Sequence, residues 1–289
     1  MLTRNHQLND QQLIELDSLC SECKSLDGNI VATYKHLLGQ HRPRLCNMLY
    51  YRQERLVGFL STFFFYEDAC EIAVMVRPDF RRQGIARFLI NEILPLIRNE
   101  GIKNLIFSAP HDANNDWLLA EGFQYLHCEY QMRRQENNAV EIAKKSLLIR
   151  LAEVADVPAL CAMDSTCFTT PQLDAPTHFQ SLLYDPNYKV FIAEVDGVPI
   201  GKAHLDLQPD SARVTDIAVL PSFQGQGIGS SLLAHCINHS LAANQPNLSL
   251  NVETNNQKAL KIYTRLGFVV CNAHDFWTIP IEVLRFAKH

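Results

Sequence analysis

The sequence predicts an α/β (α+β) chain built from two tandem copies of one domain. Three observations lead there. The chain has 289 residues, room for two domains of roughly 150 residues each. Its landmarks recur in the same order at a nearly constant offset. In each copy an apolar strand passes through a proline into a turn that carries a glycine just before a helix, glycine-rich in the second copy.

The offset fixes the organisation. Val57-Gly58 answers to Ile200-Gly201, 143 residues later. The same shift carries Val76 onto Val219, Pro78 onto Pro221, Phe80 onto Phe223, Gln83-Gly84-Ile85 onto Gln226-Gly227-Ile228, and Leu89 onto Leu232. Gly122-Phe123 answers to Gly267-Phe268 at 145, so the second copy gains two residues after its glycine turn. An ordered series with one small shift is the mark of a duplicated fold. Domains are expected at 1–138 and 146–289, with the polar segment 133–145 as linker.

In the second copy, 146–150 reads as a short strand and 154–163 as a helix. Strands at 189–195 and 200–207 flank Asp196-Gly197, a hairpin turn signal. A strand at 213–220 precedes the glycine turn. Leu232, Leu233, Cys236, Ile237 and Leu241 give 230–244 the spacing of a one-faced helix. A strand at 248–253, a helix at 257–266 and a strand opening at 268–270 complete the copy. The first copy follows the same course, with 105–108 as the strand after its helix and only a weak strand pattern over 1–9.

Composition narrows the function. Hydrophobic residues make up 47% and charged residues 20%, an ordinary globular balance. A net charge of -5 and the lack of a basic stripe interleaved with aromatics argue against nucleic acid as partner. The half from Ser146 onward carries 9 Lys+Arg against 13 Asp+Glu, which favours a cationic substrate there. The N-terminus MLTRNHQLND has no apolar signal core, and the apolar stretch 56–66 is too short to span a bilayer. A cytoplasmic chain without membrane partner is expected, as monomer or homodimer. Nine scattered cysteines suit free thiols, and the lone pair Cys20 and Cys23 suits a helix face better than redox or metal chemistry.

The run from Ile217 to Gly229 is the most informative stretch. Glycines allow a tight turn and close approach of a ligand. A helix starting at once presents unpaired N–H groups and the positive end of its dipole. Together these suit a pyrophosphate. The lysine and Ser/Thr of a nucleotide P-loop are absent, as is the dinucleotide glycine order.

Gln224-x-x-Gly227-x-Gly229 resembles the Q/R-x-x-G-x-G/A signature of the GNAT superfamily of N-acetyltransferases, and Arg81-x-x-Gly84-x-Ala86 resembles it again. The resemblance covers most of both halves and is weakest over the first forty-odd residues. It implies a mixed, mostly antiparallel twisted sheet flanked by helices in each domain, and acetyl-CoA as the acyl donor, without a metal. It assigns the pyrophosphate to Gln224, Gly225, Gln226, Gly227, Ile228, Gly229 and Ser230, and the pantetheine arm to Ile217, Ala218 and Val219. In the first copy the same parts fall to Val74 and Val76 and to Arg81, Arg82, Gln83, Gly84, Ile85, Ala86 and Arg87.

Asn256-x-x-Ala259-x-x-x-Tyr263-x-x-x-Gly267-Phe268 resembles the second cofactor motif of the family. By that likeness Tyr263 gives a proton to the coenzyme A thiolate, while Asn256 and Ala259 touch the cofactor. A tyrosine pKa near ~10 against ~8.5 for a thiol makes hydrogen bonding to the developing thiolate an adequate form of the same role. The family's usual base is a glutamate, but Arg213 and Cys70 stand at that place, and Asn251 stands where ribosomal-protein acetylases carry one. Glu253 and Asp216 are the preferred catalytic carboxylates, with His204 and Asp206 as alternatives, any of them able to act through water.

In the first copy the tyrosine position is Leu118, which cannot donate a proton, and 111–117 lacks the N-x-x-A pattern. The N-terminal domain is therefore expected to be catalytically degenerate and the C-terminal one active, a layout similar to that of tandem family members. The expected reaction is direct transfer of an acetyl group to a primary amine of a small molecule or peptide. The alternative is a non-catalytic acyl-CoA-binding or regulatory protein. Acceptor recognition is expected from the first helices and from the connecting loop 166–184, where Phe168, Phe179 and Tyr184 either line a cleft or enter the core.

Overall fold

A continuous apolar run such as Leu56-Val57-Gly58-Phe59-Leu60 suits a strand covered on both faces. The computed structural model, which describes residues 1–142, 147–168, 174–209 and 211–284, puts it at the centre of a sheet. The chain divides into two units, Met1–Tyr130 with Asn272–His289, and Gln131–Cys271.

The first unit runs β1 (Leu2–Asn5), α1 (Asp10–Asp27), α2 (Lys35–Leu38), β2 (Asn47–Arg52), β3 (Arg55–Phe63), β4 (Ala69–Val76), α3 (Ile85–Asn99), β5 (Asn104–Pro110), α4 (Asn115–Ala120) and most of β6 (Gln124–Arg134). Strands β1 to β4 pair antiparallel in sequence order, and β4 pairs parallel with β5. The next neighbour of β5 comes from the end of the chain: residues from Asn272 onward of β12 (Phe268–Pro280) run antiparallel to it, from His274 opposite Pro110 to Pro280 opposite Asn104. Helix α1 covers one face, packing Leu16, Leu19, Cys20 and Cys23 on Phe59 and Met75. Helix α3 covers the other with Leu89, Ile90 and Ile93 on Val57 and Ile72. Each such fully buried aliphatic side chain contributes ~1.5–3 kcal/mol.

In the second unit, β7 (Leu148–Leu151), α5 (Val157–Cys167), α6 (Ala175–Tyr184), β8 (Tyr188–Val195), β9 (Val198–Gln208), β10 (Ser211–Val219), α7 (Ile228–Ala242), β11 (Leu248–Glu253) and α8 (Gln257–Arg265) repeat that order. Strands β7 to β10 pair antiparallel, and β10 pairs parallel with β11. Helices α5 and α6 close one face with Leu160, Met163 and Phe179 on Val190 and Ile192. Each unit is thus a mixed, mostly antiparallel sheet between helices, the expected class. Gly58 and Gly201 owe their recurrence to the helix on the sheet. A Cβ on Gly58 would meet Ile85 Cγ2 at 2.8 Å, and one on Gly201 would meet Ala218 O at 2.9 Å and Leu232 Cδ1 at 3.2 Å.

The hairpin at Asp196-Gly197 has both residues at positive φ (51° and 75°), the primed turn its sequence asks for. One reading needs correction. The segment 166–184 is not a connecting loop throughout: α5 reaches Cys167, and α6 begins at Ala175, with Pro176 in its first turn and the Asp174 side chain accepting from Thr177 N. Residues 169–173 of that segment lie outside the described residues. Phe179 is buried, whereas Phe168 and Tyr184 are exposed. Cys20 and Cys23 are core residues of α1, and burial pushes the Cys20 thiol up to about 12. None of the nine cysteines forms a disulfide among the described residues.

Candidate active site

The two glycine turns have the same construction. A short 3-10 turn (Pro78–Phe80, Pro221–Phe223) leaves the strand, and Gly84 and Gly227 take the N-cap positions of α3 and α7 at φ 78° and 81°. Neither helix has a side-chain cap, so the first N–H groups of Ile85, Ala86 and Arg87, and of Ile228, Gly229 and Ser230, are left for another acceptor. The first residue of each motif fastens the turn to its strand: Arg81 Nε donates to Val76 O at 3.0 Å and Gln224 Nε2 to Val219 O at 3.0 Å. Gln83 and Gln226 likewise reach back to Asp79 O and Ser222 O. Arg265 of α8 donates to Ser230 Oγ at 2.7 Å, which brings a guanidinium to the start of α7.

The turns differ at one position. Gly225 sits at φ 77°, and its counterpart Arg82 holds φ 60°. A non-glycine residue there carries ~1–2 kcal/mol of strain. Arg82→Gly is therefore expected to stabilise the chain by about 0.5–1 kcal/mol after the entropy cost of glycine, read as a rise in the urea midpoint at constant slope.

In the first unit Val74 and Val76, Arg81, Arg82, Gly84, Ile85, Ala86 and Arg87 all line one cavity of about 430 Å³, whose far wall includes Phe107, Pro110, Trp117 and Leu118. Of its three guanidiniums, Arg81 is held bidentate by Asp27 at 2.8 and 2.7 Å, and Arg87 pairs with Glu121 at 3.1 Å. Leu118, in the tyrosine position, is fully buried.

The strands beside the turns separate the two units. In the first, β4 and β5 pair from Ala69 opposite Asn104 to Ala73 opposite Ser108, and β3 and β4 keep an unbroken register. In the second, among the described residues β10 and β11 pair at Ala212–Leu248 and Arg213–Ser249, and then part. Between Thr215 and Ala218 the register with β9 shifts, so that Asp216 and Ile217 face Ala203 alone. This β-bulge puts Asp216 at φ 50° and leaves more main chain than the ladder can pair. Ile217, Ala218 and Val219 follow directly.

Asp216 Oδ2 lies 3.2 Å from His204 Nδ1, which also meets Tyr188 OH at 3.3 Å. On its other side His204 Nε2 faces Lys202 Nζ at 3.3 Å. Lys202 is fully buried, ion-paired with Asp164, and lies 4.8 Å from the ring of Phe179 and 5.5 Å from that of Phe168. Although partial desolvation works against the charge of the half-exposed Asp216, its interaction with His204 and the positive charge of Lys202 outweigh it and hold the carboxyl well below the usual range. Burial holds His204 below its usual value, against the hydrogen bond with Asp216. Removing one member of such a buried set leaves charges uncompensated. Lys202→Met is expected to cost ~3–5 kcal/mol, much of it recovered by adding Asp164→Leu, in denaturant titrations.

The other candidates stand apart from this set. Asp206 is engaged by Gln208 Nε2 at 2.6 Å and Arg213 at 3.5 Å. Glu253 is exposed at the end of β11. Asn256 caps α8, its Oδ1 accepting from Ala259 N at 3.1 Å. Tyr263 is half-buried on α8 with its ring 6.2 Å from that of Phe268, and burial pushes its hydroxyl up to about 12. Among the described residues no hydrogen bond or ion pair joins Tyr263, Glu253 and Asp216 to one another.

The first unit holds a residue that sequence reading passed over. Glu71, beside Cys70 on β4, is 2% exposed; Tyr34 OH donates to its Oε2 at 3.1 Å, and among the described residues Oε1 has no hydrogen-bond partner. Burial pushes this carboxyl up to about 8, against the Tyr34 bond, and the charge of Glu129 adds to the rise. The folded chain then keeps a proton that the unfolded chain loses above 4.5, so stability falls as pH rises from 4.5 to about 8. Denaturant titrations across that range should show the decline, and Glu71→Gln should flatten it.

The sequence profile of the acetyltransferase (GNAT) family matches residues 11–120 and again 157–268. A mycothiol acetyltransferase from Mycobacteroides abscessus is 28% identical over 222 residues, covering 71% of this chain and 73% of that protein. A GCN5-related N-acetyltransferase from Sphaerobacter thermophilus superimposes with a TM-score of 0.77 at 14% identity over 97% of this chain and 96% of its own. A tandem GNAT protein from the clavulanic acid biosynthesis pathway gives 0.69 at 14% identity, covering 97% and 98%. Among the described residues no helix is long and apolar enough to cross a membrane.

Proposed function

The chain belongs to the acetyltransferase (GNAT) family, and from that premise we propose that its second unit transfers an acetyl group from acetyl-CoA to a primary amine. The observation that carries this reading is the bulge at Asp216-Ile217, where β10 parts from β11 beside an uncapped helix start. The first unit has the helix start without the bulge.

Bound acetyl-CoA supplies the acetyl group as a thioester. The N–H groups at the start of α7 hold its pyrophosphate, with Gln224 bracing the turn and Arg265 adding positive charge. Ile217, Ala218 and Val219 take the pantetheine arm as an added strand edge. Free main chain at the bulge stabilises the carbonyl oxygen as it gains negative charge. Tyr263, kept protonated at neutral pH, donates a hydrogen bond to the departing sulfur. Asp216 is too weakly basic to be the main proton acceptor. As a fixed anion at the opening, with its side chain 49% exposed, it suits recognition of the amine in its ammonium form, and the proton then leaves through water.

The test is release of free thiol from acetyl-CoA by the full chain, with and without primary amines, across pH. Amine-dependent release is expected. Thiol release that no amine accelerates would replace this reading with that of a non-catalytic acyl-CoA-binding protein. The cavity of the first unit favours that second role for the first unit itself: a seat for an acyl-CoA without the means to use it.

A further inference from the structure

Three side chains far apart in the sequence meet in the first unit, away from its glycine turn. His111 follows β5, Cys128 lies on β6 and Asp275 on β12, and their donor atoms lie within 4.8 Å of one another. His111 Nδ1 is 2.9 Å from Asp275 Oδ1 and 3.5 Å from Cys128 Sγ. A cysteine nucleophile needs its thiol on one imidazole nitrogen and its carboxylate on the other. Here Cys128 and Asp275 both approach Nδ1, and the carboxylate near Nε2 is that of the exposed Asp112 at 3.4 Å. Donors that converge on one point instead describe a ligand set.

We propose that His111, Cys128 and Asp275 bind a divalent metal ion of the zinc class. The donor types are those zinc takes. With Zn–S at ~2.3 Å and Zn–N at ~2.0–2.1 Å, tetrahedral angles set S···N at about 3.5 Å, the separation found. The N···O separation of 2.9 Å needs to open by roughly 0.4–0.6 Å. A second, independent feature is the surrounding shell. Asp112 Oδ2 lies 3.4 Å from His111 Nε2, the outer carboxylate that typically fixes a ligating histidine with Nδ1 free for the metal. Asp112 N donates to Asp275 Oδ2 at 3.1 Å and so orients the carboxylate. Asp112 and Asn114 hold φ 59° and 65°, left-handed geometry that shapes the turn carrying His111. Cys128 and Asp275 are 3% and 2% exposed, whereas the His111 side chain is 35% exposed, which leaves an entry path and a fourth position for water. On binding, the thiol proton of Cys128 passes to solvent and sulfur bonds the metal as thiolate. Pro110 and Asn114, on either side of His111, line the cavity of the first unit, so the ion braces the mouth of that cleft.

The full chain, stripped with a chelator, is titrated with cobalt(II). One equivalent should give the intense visible absorption of four-coordinate cobalt together with a thiolate charge-transfer band, and zinc should abolish both. Cys128→Ser should remove the charge-transfer band. Asp112→Asn, at an exposed position, should weaken binding by about 10–100-fold with the fold intact. Cys23→Ser should change nothing. Absence of the thiolate band, its loss in Cys23→Ser rather than Cys128→Ser, or an unchanged affinity in Asp112→Asn would overturn the assignment.

Discussion

Tyr263→Phe is expected to lower turnover roughly 10²-fold, the usual scale for one acid–base group, while KM for acetyl-CoA stays nearly unchanged. The phenyl ring keeps the packing against Phe268, so only the hydroxyl is lost. With its proton held up to about 12, that hydroxyl is a donor over the whole working range and never a competing anion. Its contribution falls on the sulfur as charge develops there, which moves kcat rather than binding. Equal turnover in the two proteins, measured by thiol release at saturating amine, would falsify the role. A rise in KM alone would make Tyr263 a wall of the cofactor site.

The second large effect is expected at Gly227. A side chain there has open space, with no heavy atom within 4 Å of a Cβ, but φ 81° strains any non-glycine residue. Gly227→Glu adds a carboxylate where the uncapped N–H groups of α7 await an anion. At an effective dielectric near ~20, like charges ~4 Å apart repel by about 4 kcal/mol, so acetyl-CoA should bind on the order of 10²–10³-fold more weakly. Gly227→Ala isolates the strain and should keep most of the affinity. Gly84→Glu performs the same operation in the first unit. In calorimetry, one site lost only with Gly227→Glu means a single working seat. Two sites, each removed by its own glycine variant, mean that the first unit also takes the ligand. Undiminished binding in both variants would remove the glycine turns from the account.

Much of this was legible in the residues because it rests on local rules. The Asp196-Gly197 hairpin, the helix with Leu232, Leu233 and Cys236, and the strand at 248–253 lie where pattern and turn chemistry put them, although that helix is not one-faced: it also buries Ser230, Ser231 and Ala234. The glycine turns were readable because their backbone geometry demands particular residues. Helix α6 was missed: Asp174-Ala-Pro is a start signal, but the ten residues from Ala175 to Tyr184 give a short and broken apolar face. The bulge left no mark because one extra residue in β10 does not disturb a short alternation. Lys202 and His204 did leave one: polar groups at every second place of an otherwise apolar strand point into the protein and need partners. Their partner Asp164 comes from α5, and Glu71 finds Tyr34 across a loop. Such pairings are invisible until the chain is folded.

The route of β12 bears on how the protein comes into being. The strand that lies along β5 in the first unit follows the second unit in the sequence, and everything from Gln131 to Cys271 is made between them. At ~5–20 residues per second on the ribosome, the amino-terminal half waits on the order of 10 s with one edge of its sheet unpaired. A fragment cut within the polar segment after β6 would expose that edge permanently, an invitation to pair with other molecules. The duplicated gene thus yields halves that mature together, and the earlier-made half depends on the later-made end.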